Sequence, residues 1–148
     1  MDVRRVAVLT SFNALYVGAV LHYLYRLFPP LVVAVGRRLN SQRLRDPSTT
    51  VHAFGCSLVD NVHCGTIYIP TYFVYVGTLE GNIDEAAATL RREWWPTYAS
   101  CTLFWVPYSW CNFALAPPSA RVRITAVGNF VWSIFVDWIA HRGPFRAS

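Results

Sequence analysis

Asp60, His63 and Cys64 lie within five residues of one another in an otherwise apolar stretch, the one place in this chain where carboxylate, imidazole and thiol coincide. Such a trio could move a proton or hold a metal ion. It lacks a second convincing ligand group, however, so no catalytic residue and no metal site is assigned, and a structural hydrogen-bond seam is the favoured reading. A second polar series, Arg121, Thr125, Asn129, Ser133, Asp137 and His141, recurs every four residues. On a helix each such step drifts by about 40°, so any three successive members share a face. Two readings of that stripe stay open: a hydrogen-bonded seam between helices, or one wall of a polar pore. No Gly-rich phosphate loop, nucleophile elbow, haem-attachment or iron–sulfur spacing is present, so neither an enzyme nor a cofactor is expected.

The elements that must hold these residues are set by composition. The 148 residues are 54% hydrophobic, 16% aromatic and 14% charged, with mean hydropathy +0.30, whereas a soluble domain carries about 25% charged residues. Tryptophans mark the ends of apolar runs, prolines sit inside the runs and arginines at their edges, as expected of helices solvated by lipid. We therefore expect an all-α, multi-span transmembrane helix bundle, residues 1–148 forming a single membrane domain. Its embedded helices, about four by the length rule, are Val6–Phe28 ending at Pro29-Pro30, Ala53–Leu79, Pro96–Ala116 and Arg121–Ala140. Glu80–Arg92 is expected to be a short amphipathic surface helix, with Pro96 in the first turn of the helix after it. Pro70 and Pro107 should mark kinks.

Further residues have assigned roles. Ala14 and Gly18, continued by His22, place small groups at four-residue spacing suited to close helix packing in lipid. Arg37, Arg38, Arg43 and Arg45 make a basic connector suited to anionic headgroups, with a bound phospholipid such as cardiolipin as the candidate, or to an acidic partner surface. All thirteen basic residues are Arg and the net charge is +5; those flanking the expected spans divide six against six between the two sides and fix no orientation. Cys56, Cys64, Cys101 and Cys111 are read as small buried thiols, a Cys101–Cys111 disulfide being disfavoured.

The order Trp95-Pro96, Trp105, Asn112-Phe113, Pro117, Arg121 and Trp132 resembles the peroxisomal 22 kDa membrane protein family, whose mitochondrial inner-membrane branch includes the Mpv-seventeen-type proteins. Gly18 to Tyr25 and Asp60-Asn61 are similar to two earlier family signatures, so the resemblance covers nearly the whole chain. Departures are Ala19 for Pro, Leu24 for Trp, Ser109 for Gln, a proline displaced to Pro107, and Asp137 at a usually small neutral position. Another apolar segment precedes Val6 in the family, and its lack here is expected to leave a bundle short of one wall helix. The resemblance implies a non-enzymatic mitochondrial inner-membrane protein, with the peroxisomal membrane as the alternative. Its role is then an accessory subunit of a respiratory complex or ATP synthase, contacting other membrane-protein subunits and anionic lipid but no nucleic acid. A small-solute pore is the alternative.

Overall fold

The computed structural model describes residues 10–12 and 14–142, without the side chains of residues 17, 80 and 133–142. Among them every regular element is helical. A π turn at Tyr16–Val20 leads into α1 (Leu21–Arg38), followed by the short α2 (Gln42–Arg45) and by α3 (Thr50–His63). A second π turn, Cys64–Tyr68, joins α3 to α4 (Ile69–Glu80); α5 (Ile83–Leu115) and α6 (Arg121–Arg142) complete the described elements.

The first helix does not end at Pro29-Pro30, as the sequence suggested, but runs through both prolines to Arg38. The prolines deprive two carbonyls of donors, yet Phe28 and Val32 on either side belong to one buried cluster with Leu21 and Tyr25. Breaking the helix there would expel one of them from the core. Its stop comes later, where Asn40 takes φ 51° and Ser41 N–H reaches back to the Gly36 carbonyl at 2.9 Å. That bond closes the helix end with a left-handed residue.

The amphipathic segment before Trp94 is likewise not a separate surface helix. It is the opening of α5, which continues for 33 residues through Pro96 and Pro107, so Pro96 is interior rather than first-turn. The true boundary is Gly81, at φ 73°, followed by Asn82, whose side chain accepts the Glu85 N–H at 3.3 Å. Asp84 and Glu85 in that first turn suit the helix dipole. Neighbours hold α5 beside both prolines: Trp94 donates to the Gly65 carbonyl at 2.8 Å, and Ser57 to the Val106 carbonyl at 2.7 Å.

These ties show how the rods run. Gly77 abuts Ala86, Gly65 meets Tyr98, Asn61 bonds Tyr98 and Thr102, and Trp110 donates to the Thr50 carbonyl. One partner number falls as the other rises, so α3–α4 and α5 form an antiparallel hairpin. Phe104 against Trp132, Tyr108 against Gly128 and Asn112 to the Arg121 carbonyl set α6 antiparallel to α5 in the same way. Tyr16 to His63 and Tyr25 to Asp60 place the first rod across the hairpin.

The distribution of polarity is inverted relative to a water-soluble bundle. Ser57, Ser109, Asn112, His52 and Thr125 are buried, while Leu103 and Leu115 are 81% and 83% exposed and Phe130 is 68% exposed. Apolar groups outside and polar groups inside are what lipid as solvent selects, because it gives apolar side chains no reason to hide and polar ones no partner. By length and hydropathy, one helix among the described residues, Gly18–Arg38, is apolar enough to cross a membrane.

Candidate functional site

The inward face of each rod contributes to one hydrogen-bonded chain through the middle of the bundle. Two residues of the first rod, Tyr16 and Tyr25, point inward. Tyr16 Oη and His63 Nε2 are 2.7 Å apart. One turn earlier on α3, Asp60 Oδ1 faces His63 Nδ1 at 3.8 Å, too long for a hydrogen bond. Asp60 Oδ2 accepts from the Ser109 hydroxyl at 2.7 Å and from the Tyr25 hydroxyl at 3.3 Å. Tyr25 is also 3.1 Å from Thr125 Oγ1, which donates to the Arg121 carbonyl at 3.0 Å. Asn112 bridges the same threonine and carbonyl, both at 3.1 Å.

Two features of this chain are unusual for a packed interior. His63 Nδ1 and Asn112 Oδ1 are buried without a hydrogen-bond partner. Asp60, with its side chain 14% exposed, has only His63 within ion-pair distance among the described residues. A carboxylate in that position is costly in a membrane unless donors or a counter-charge stabilise it, and here neutral hydroxyls supply the stabilisation. Tyr16, Tyr25, Asp60, His63 and Thr125 line a cavity of about 90 Å³, whose wall also includes Ser57, Asn61, Cys64, Cys101, Asn129 and Trp132. At about 30 Å³ per water, that volume suits a few waters, an ion or a solute of a few heavy atoms. Among the described residues no group of three His, Cys, Asp or Glu converges as a metal site.

The expected seam residues separate into three groups. Asp60, His63, Thr125 and Asn129 line the cavity together. Arg121 stands at the start of α6 and caps α5 instead, donating to the Ala116 and Phe113 carbonyls at 3.2 Å each with its guanidinium 5.0 Å from the Phe113 ring centre. Ser133 and Asp137 lie on α6, but their side chains are outside the described ones. Tyr16 and Tyr25, the role of Ser109 as a donor to Asp60 and the approach of Cys101 to Cys64 were not read from sequence, although the three-residue step from Ser109 to Asn112 puts both on one helical face.

Ala14, Gly18 and His22 do not pack within the chain. They are exposed, and a Cβ at Gly18 would meet nothing within 4 Å, because Phe12 and Tyr16 carry the inward face of that rod. Pro70 is the second residue of α4, just past the π turn, and Pro107 is exposed on α5. Arg37 and Arg38 end α1, while Arg43 and Arg45 lie on α2. The buried His52 ring donates its Nδ1–H to the Leu44 carbonyl, 2.7 Å away, fastening that basic corner to α3. Beside it, the Ser48 N–H and hydroxyl bond to Asp46 at 2.9 and 2.7 Å and lower its carboxyl pKa from the ordinary value. Cys101 and Cys111, both on α5, are ten positions and so about 15 Å apart along the axis, which rules out a disulfide between them.

Residues 77–137 match the Mpv17 / PMP22 family model. Among curated relatives, an Mpv17-like protein of Bos taurus is 28% identical over 86 residues, 58% of this chain and 43% of that protein. Protein SYM1 of Mycosarcoma maydis is 28% identical over 113 residues, 75% of this chain and 56% of its own. The mitochondrial inner membrane protein Mpv17 of Danio rerio is 25% identical over 142 residues, 95% and 73% of the two chains. The chain spans about half the length of the first curated relatives it matches. No solved structure matches it.

Proposed function

We propose that this Mpv17 / PMP22 family membrane protein forms a bundle of four membrane-embedded rods in the mitochondrial inner membrane and gives small polar solutes or ions a site inside it. The membrane and compartment are carried over from the Danio rerio relative, whose name gives them. The observation that carries the solute reading is the cavity lined by Asp60 and His63, whose wall holds a carboxylate and the buried, unpartnered His63 Nδ1. A purely structural seam would pair that nitrogen. The volume is far below the ~300 Å³ at which pockets take drug-sized ligands, which confines the class of solute to water-sized or slightly larger species. The test is flux of such solutes into liposomes holding the purified chain. Passage above protein-free liposomes, reduced several-fold by Asp60→Leu in a variant that keeps its helical circular dichroism, is expected. Equal flux with and without protein would overturn the reading.

An accessory, non-enzymatic subunit of a respiratory complex or ATP synthase is the second reading. The outward display of Ala14, Gly18, His22 and Arg26 on one rod favours it, since a small-residue face flanked by polar side chains is better covered by another protein than by lipid. Stoichiometric co-purification with such a complex in mild detergent would support it; recovery of the chain alone would not. In either case the basic corner of Arg37, Arg38, Arg43 and Arg45 is proposed to bind anionic headgroups such as cardiolipin, each Arg adding about 1 kcal/mol. Native mass spectrometry should show lipid retention lost when all four are neutralised.

A further inference from the structure

We infer that Cys64 and Cys101 are a reactive pair, joined by peroxide into a disulfide that staples the π turn to α5 beside the cavity. The two thiols come from different rods, 37 positions apart in sequence, and both residues line the same cavity, where each perturbs the other. Several further contacts bring the backbones together at this level. Trp94 donates to the Gly65 carbonyl at 2.8 Å, and a Cβ on Gly65 would come within 2.6 Å of the Tyr98 ring. Cα atoms of the π turn and α5 lie within 8 Å of one another. Disulfides need that kind of backbone approach, with Cα atoms usually about 4.4–6.8 Å apart.

Both sulfurs also line the cavity, which decides the oxidant. A space of about 90 Å³ excludes glutathione disulfide but admits hydrogen peroxide. One thiol, as its thiolate, attacks a peroxide oxygen, breaking the O–O bond to give a sulfenic acid and water. The second sulfur attacks the sulfenic sulfur, forming the S–S bond and releasing the second water. Two thiols and one peroxide thus yield one disulfide and two waters. The product encloses the Gly81 turn in a covalent loop and fixes the irregular segment next to His63 on its neighbour; π turns are sites where helices commonly change geometry. The other two cysteines serve as controls: Cys56 is buried and Cys111 exposed. This pairing stands whether or not the cavity conducts solute.

The test treats the intact chain in lipid nanodiscs with graded hydrogen peroxide, blocks remaining thiols by alkylation after unfolding, and maps peptides by mass spectrometry. We expect Cys64 and Cys101 to lose alkylation together, in a linked peptide lighter by two hydrogens and restored by dithiothreitol. The melting midpoint should rise on oxidation of the wild type and not of Cys64→Ser or Cys101→Ser. Both thiols staying alkylatable at doses that oxidise Cys111, either one stopping at sulfinic acid with the other free, or a linkage through Cys56 instead, would each overturn the inference.

Discussion

The cavity level of the bundle and its outer surface differ in opposite directions from a soluble protein. Around Asp60, side chains from all four rods exchange hydrogen bonds through Tyr25, Ser109, Asn112 and Thr125; outside, Leu103, Leu115 and Phe130 stand bare. The difference teaches that packing in this chain joins polar contacts to the apolar cluster of Leu21, Phe28, Val32 and Phe113, with many further apolar side chains left to the solvent. Helix association in lipid works that way, because hydrocarbon does not drive apolar faces together.

Mutations at the two levels should therefore have unequal effects. The largest is expected from Gly65→Val, whose added atoms must displace the Tyr98 ring 2.6 Å from the new Cβ. Overpacking of this kind costs about 1–3 kcal/mol, read as a lower melting midpoint in detergent. Asn112→Leu comes next, with a loss of about 1–3 kcal/mol because the Arg121 carbonyl and Thr125 hydroxyl lose a donor inside the bundle. Thr125→Val should cost on the order of 0.6 kcal/mol, the average worth of a hydrogen bond between membrane helices. Leu115→Ala on the outer surface should change the midpoint by less than about 0.5 kcal/mol; a loss as large as that of Asn112→Leu would break the comparison. Smallest of all is the loop effect of Asp46. Its depressed carboxyl contributes stability that is present above the unfolded pKa and lost as pH falls through the folded one. Hydrogen exchange at the Ser48 amide should accordingly accelerate, relative to an unstructured control, on acidification, and Asp46→Asn should abolish that dependence.

Much of this was legible in the residues. Lipid as the solvent was written in the Trp, Pro and Arg positions, and the four-residue stripe of α6 led to Thr125 and Asn129, which reach the cavity. Helix ends were not, because a proline pair normally stops a helix and Phe28 and Val32 override that preference through tertiary packing. The same holds for Trp94, bonded to the π turn at Gly65, and for Ser57, bonded to α5 at Val106, which flank Pro96 and Pro107. The first rod was read on its small-residue face, whereas its function in the fold lies on the opposite one. Tyr16 and Tyr25 are nine residues apart, a spacing that the π turn between them modifies and that no regular helical period announces.

The inversion itself can be measured in one experiment. In bilayer nanodiscs, dissolved oxygen concentrates among the acyl chains and broadens NMR signals of the groups it reaches. The account predicts strong broadening at Leu103, Leu115 and Phe130 and little at Ser109, Asn112 and Thr125. Broadening of the outer residues by a water-soluble paramagnetic chelate instead, or equal oxygen effects on both sets, would contradict it.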